Sequence, residues 1–180
     1  KREVFVSESI MVGSAEEHKA ILIEVSPKNF GVYEVENSSE LICSNHFQSE
    51  AYAGDSRNQS AIKNSHTQQR YDRMKELLAE SNRLNPEKAA AILRDKKGIN
   101  DKTLGYGNEL AINQLLAHHG IIFQPEERKV WVSSSPYQLG AFVAYDLDEV
   151  FNEFENGDHS LKGIDSLLIA EDPFLNSEAF

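Results

Sequence analysis

The sequence predicts an α+β fold of antiparallel sheets layered with helices, and three observations carry that prediction. Strand-like segments open the chain, helix-periodic segments fill its middle, and strand-like segments return after Gly120. Apolar residues are spaced for a helix from Thr67 onward and for strands on either side of that region. Short polar turns join neighbouring strand segments, as meanders and hairpins require.

Taken in order, residues 4–12 and 19–26 (KAILIEVS) are rich in Val, Ile and Leu, and Pro27 closes the second; both read as strands. Residues 31–36 (GVYEVE) predict a third strand with one face partly wet. The turn at 37–40 (NSSE) then leads into a fourth, at 41–45 (LICSN). Residues 54–65 read as a polar loop. Tyr71, Met74, Leu77 and Leu78 form one helical stripe, so a helix is expected from Thr67 to about Ser81, with Ser65 or Thr67 as its N-cap. A second helix should start at Asn85, with Pro86 in its first position and Gly98 following its basic last turn. Residues 99–113 carry loop markers in Gly105 and Gly107. Residues 120–133 predict a hairpin turning at 125–128, and AFVAYDL a last strand after Pro136 and Gly140. Asp146 or Asp148 can cap a short helix through Phe154. The division expected is one domain over residues 1–155 and an acidic tail over 156–180 that wraps the surface.

Composition narrows the function classes. The chain has 180 residues, enough to bury a core, and its hydrophobic and charged contents of 40% and 26% are ordinary for a soluble globular protein. Twenty-nine acidic against 18 basic residues give a formal charge of −11, which argues against nucleic acid as a partner. No apolar run approaches the roughly 20 residues that span a bilayer. A single cysteine excludes an internal disulfide and a cysteine-based zinc cluster. The opening KREVFVSESIMVG begins in strand-like residues with no initiator Met, so the chain reads as a piece of a longer protein.

Four groups of side chains are candidates for chemistry. Cys43 and His46 are three apart, and on a strand they would face opposite ways. A nucleophilic thiol needs a base within reach, so Cys43 reads as a small buried hydrophobe. His118 and His119, with His46 and His66, match no ligand spacing; one of the adjacent pair is expected to face solvent and the other to pack. Asn45 sits where a strand gives way to a loop, and its carboxamide is a neutral donor suited to a developing oxyanion; it is equally suited to capping the loop. Arg70 and Arg73 share a helix with Asp72 and Glu76, where Arg73 and Glu76 have the spacing of a salt bridge and solvated surface charge is the default.

Several of these segments, in this order, resemble a known family. LICSNHFQS resembles the strand-end motif, usually written Thr-Asn-His-Phe, of the acyl-CoA:6-aminopenicillanic acid acyltransferase family. These are cysteine-type N-terminal nucleophile (Ntn) hydrolases, distantly related to bile salt hydrolases and penicillin V acylases. HKAILIEVSP resembles the family's apolar strand ending in a Glu, and SHTQQRYDRMKELL its Ser-x-x-Arg-(Leu/Tyr)-x-Arg helix start. GIIFQPEERKVWVSSSPYQLGAFVAYDL resembles its late hairpin and final strand. Two departures stand out: Cys43-Ser44 replaces a lone Thr, and Gln69 occupies a position that is often small.

The resemblance implies an αββα sandwich of antiparallel sheets, incomplete in this chain. It also implies a precursor that cleaves itself to expose an N-terminal cysteine. That thiol attacks the carbonyl of an N-acyl amide or thioester with its own α-amine as base. By the same resemblance Asn45 falls on the oxyanion-hole asparagine, and Arg70 on the arginine that orients the nucleophile. No cofactor and no metal are implied. Residue 1 is Lys, so the nucleophile is expected upstream. The chain is then the C-terminal part of the enzyme, dependent on the missing segment or on self-association as a homo-oligomer to complete its core. The alternatives are a non-catalytic binding module that kept the fold, and a thiol enzyme built on Cys43.

Overall fold

A computed structural model describes residues 4–36, 38–81, 83–157 and 160–180. Asn37, in the expected turn at 37–40, lies outside the described residues. Among those described, the chain is α+β, with two three-stranded antiparallel sheets and four α-helices. Among the described residues no helix is long and apolar enough to cross a membrane. The chain divides into two compact units, residues 1–80 and 81–180.

The first unit opens with a meander of β1 (Glu8–Ser14), β2 (Lys19–Val25) and β3 (Phe30–Glu34). Its register aligns Ile10 with Ile23 and Ile23 with Val32. Alternation therefore puts Ile10, Val12, Phe30 and Val32 on one face, all exposed, and Leu22 and Glu24 on the other, both fully buried. The strand expected at 41–45 joins no ladder, and the Ile42 carbonyl accepts instead from the Gln48 amide Nε2 at 2.7 Å.

Two helices follow. α1 (Ser56–Asn64) replaces the loop expected at 54–65, and the Asp55 carboxylate caps it by accepting from the Arg57 and Asn58 N–H groups. None of its residues is buried, so the helix leaves no apolar stripe in the sequence. α2 (Thr67–Ala79) starts where expected; its N-cap residue is His66, whose side chain makes no cap bond, while Ser65 Oγ accepts the Thr67 N–H at a long 3.4 Å. Arg73 is 1% exposed rather than solvated, and its Nη1 lies 2.7 Å from the Glu76 carboxylate.

In the second unit, α3 (Pro86–Leu93) is capped by Asn85, which accepts from the Lys88 N–H. The helix ends five residues short of Gly98. β4 (Ile121–Gln124) and β5 (Lys129–Ser133) make the expected hairpin, with Arg128 closing its turn at φ 48°, and β6 (Phe142–Asp146) pairs with β5. α4 (Leu147–Glu155) starts from the Asp146 cap. The core is Ala90, Trp131, Phe142 and Ala144. Ile164, Leu167 and Ile169 of the acidic tail pack on it, and the tail's backbone bonds to Phe142 and Ala144 of β6. Those residues are the tail's apolar minority, in runs too short to signal an element of their own.

Candidate active site

The site is a loop, residues 44–49, whose backbone and side chains are fixed from three directions while one side chain is left outside. From β2 comes Glu24: both of its carboxylate oxygens accept backbone N–H groups, from Gln48 at 2.7 Å and Ser49 at 2.8 Å. A buried carboxylate is tolerated when its oxygens are satisfied in this way. Gly31, the cross-strand partner of Glu24, makes the approach possible, since a Cβ there would collide with Ser49 and Ala51.

From α1 comes Asn58. Its Oδ1 accepts the Phe47 N–H at 2.8 Å and its Nδ2 donates to the Phe47 carbonyl at 2.9 Å. The carboxamide thus replaces the strand partner that residue 47 lacks. From α2 comes Thr67, 0% exposed, whose hydroxyl lies 2.8 Å from Ser44 Oγ and 3.0 Å from His46 Nδ1. Ser44 Oγ also donates to the Thr67 carbonyl at 3.0 Å.

Between Ser44 and His46 stands Asn45, exposed and turned outward. Arg70, one helical turn beyond Thr67 on the same face of α2, donates from Nη2 to Asn45 Oδ1 at 2.8 Å. Thus the structure brings together the two residues nominated from the sequence. The contact also fixes which way the amide faces. A guanidinium has donors only, so the end of the carboxamide that meets it must be the oxygen. Asn45 Nδ2 is therefore directed away from Arg70, and among the described residues it donates to no protein acceptor. Asn45 lines a cleft of about 750 Å³ together with Ser9, Lys28, Cys43 and Arg57. Arg70 backs it from behind.

Electrostatics separates the remaining candidates. Burial pushes the Cys43 thiol above its ordinary pKa, against a hydrogen bond with Ser9 that favours the thiolate. Its Sγ contacts the Ser44 carbonyl at 3.6 Å, and the imidazole Nδ1 three residues on bonds to Thr67 instead. Cys43 has neither the lowered pKa nor the base of an activated thiol. Burial holds His46 below its ordinary pKa, with Glu24 and Asp72 opposing, so the ring is neutral at pH 7. His118 and His119 are both exposed, because they precede β4 in a loop and do not alternate. Among the described residues no group of His, Cys, Asp and Glu is arranged to hold a metal ion.

Sequence reasoning missed Glu24, Asn58 and Thr67 as parts of the site. Thr67 left one signal, a hydroxyl residue at a helix start that turns out not to cap. Glu24 left a charge inside an otherwise apolar strand.

Comparison with known proteins agrees with the family expected from the motifs. No curated protein and no solved structure matches the chain. Residues 5–135 match the family described as acyl-coenzyme A:6-aminopenicillanic acid acyl-transferase, a span that includes the site loop, α1, α2 and the β4–β5 hairpin. With most of its length matched, and with the motif asparagine and arginine in contact, the chain belongs to the acyl-coenzyme A:6-aminopenicillanic acid acyl-transferase family.

Proposed function

We propose that this chain supplies the oxyanion donor and a positioning arginine to an Ntn-type enzyme. That enzyme cleaves linear amide bonds of N-acyl substrates, or transfers their acyl group, through a cysteine acyl-enzyme. The observation that carries the proposal is the Arg70–Asn45 hydrogen bond, which leaves the Asn45 N–H2 group directed away from the guanidinium on a side chain lining a cleft. An oxyanion donor has to be oriented before the charge appears, and a fixed amide meets that requirement. As the thiolate adds to the carbonyl carbon, the carbonyl oxygen becomes the oxyanion and accepts from Asn45 Nδ2. The amine leaves with a proton, and water or an acceptor amine then releases the acyl group.

The attacking cysteine lies upstream of Lys1 on this reading. Cys43 is the only cysteine within residues 1–180, and its raised pKa does not fit an activated thiolate. The test uses the full-length protein on a panel of N-acyl amino acids. Asn45→Ala is expected to lower kcat by about 10²–10³ with the fold retained, whereas Cys43→Ala leaves the rate within about twofold. An unchanged rate for Asn45→Ala removes that residue from the mechanism. Loss of activity in a folded Cys43→Ala protein places the nucleophile in this chain instead.

A further inference from the structure

We infer that Thr67 is a positioning residue for acyl transfer, its buried hydroxyl tying both neighbours of Asn45 to the helix start from which Arg70 reaches the same carboxamide. The inference rests on the reading of Asn45 as oxyanion donor and deepens it.

Hydrogen accounting gives the network a direction. Ser44 has one hydroxyl proton, and it goes to the Thr67 carbonyl at 3.0 Å. In the 2.8 Å contact between the two hydroxyls, Thr67 is then the donor. With its own proton committed, Thr67 Oγ1 accepts from His46 Nδ1, which must carry hydrogen. The chain runs His46 → Thr67 → Ser44 → Thr67 carbonyl, and every hydrogen in it is used. The lowered pKa of His46 agrees with a neutral ring of this tautomer.

A second observation sets Thr67 apart. α1, α3 and α4 each have a side-chain N-cap, at Asp55, Asn85 and Asp146. Among the four α-helices, α2 alone has no bond from its N-cap side chain, and its first N–H meets only Ser65 Oγ, at 3.4 Å. A well-placed cap contributes about 1 kcal/mol, so the weaker arrangement at α2 is a local loss. The hydroxyl at the start of α2 is instead turned onto the site loop, and departures of this kind from local rules gather at functional sites. The effect on geometry is direct. Residues 44 and 46 are held to residue 67, and residue 45 is held to residue 70, so loop and helix share four hydrogen bonds within one turn of α2. Without the hydroxyl, His46 loses its tie to α2 and Ser44 keeps only its bond to the Thr67 carbonyl, so the aim of Asn45 Nδ2 rests chiefly on the Arg70 contact. A displacement of about 1 Å at a reacting centre can cost on the order of 10² in rate.

The experiment is a mutant cycle in the full-length protein, assayed on the N-acyl substrate that it hydrolyses fastest. Thr67→Val keeps the shape and removes the hydroxyl; it should lower kcat about 10–100-fold with KM within about twofold. Thr67→Ser should restore kcat to within about threefold. In the Asn45→Ala background, Thr67→Val should cost nothing further, because its effect passes through Asn45. If Thr67→Val does not fold, Ser44→Ala breaks the same link without altering the helix and should give the same non-additive loss. Multiplicative effects, or an unchanged kcat in Thr67→Val while Asn45→Ala is impaired, would overturn the role of Thr67 and leave the oxyanion reading intact. An unchanged kcat in Asn45→Ala overturns both.

Discussion

Both sheets are three-stranded antiparallel meanders, and they bury different chemistry. The sheet of the second unit covers Trp131, Phe142 and Ala144, and the tail adds Ile164, Leu167 and Ile169 to the same core. The sheet of the first unit buries Leu22 beside Glu24, and the fully buried residues of that unit include Thr67 and Arg73. Apolar burial is non-directional, so it holds elements together without dictating where one side chain points. Hydrogen bonds are directional and costly to leave unmade. The unit that carries the site relies on the directional kind: seven hydrogen bonds from Glu24, Asn58 and Thr67 hold residues 44–49. What differs between the sheets is stability in one and aim in the other.

That contrast can be broken in three ways. The largest effect is expected from Phe142→Ala, which empties a fully buried position in the apolar core and should cost about 3–5 kcal/mol. Hydrogen exchange should show the loss in β4, β5 and β6. A cost under about 1 kcal/mol would mean that this sheet is not anchored by its apolar side chains. Glu24→Gln comes next. Gln offers one acceptor where two backbone N–H groups need one each, and its NH2 faces a donor. A loss of about 2–3 kcal/mol is expected, with kcat reduced as the loop bearing Asn45 relaxes. Unaltered kcat in a folded Glu24→Gln protein would separate the carboxylate clamp from the aim of the site.

The smallest effect is a pH dependence. His46 is held below its ordinary pKa of 6.5, chiefly by burial. Below pH 6.5 the unfolded chain therefore binds a proton that the folded chain does not, and stability falls as pH drops from 6.5 toward the depressed folded value. Above 6.5 both states are neutral and the contribution is constant. Urea melts at stepped pH values should show this slope, and His46→Asn, which keeps a donor toward Thr67, should flatten it. A slope of opposite sign would mean that the folded protein prefers the charged ring.

The sequence announces elements where local chemistry and packing agree. The β4–β5 hairpin was legible because Pro125 and a turn of charged residues separate two apolar runs, and α3 because Asn85 and Pro86 mark its start. α1 was not legible: it buries nothing, so Asp55 was its only signal. Residues 41–45 have the composition of a strand, but the Ile42 carbonyl is taken by the Gln48 side chain, which periodicity cannot report. Asn45 and Arg70 were nominated through the family motifs. Their contact spans 25 positions and joins a loop to a helix, beyond any local pattern. Thr67 was visible only as a possible cap, because a hydroxyl at a helix start has a common use that conceals a rarer one.

The guanidinium behind Asn45 has a consequence for chemical ageing. Hydrolysis of that amide to a carboxylate changes the outline of the side chain very little, and Arg70 would grip the new charge more strongly than the old dipole. The aged protein would therefore look intact, with the same shape and an even firmer hold, while offering an acceptor where a donor had stood. Silence without unfolding is the failure to which such a site is most exposed.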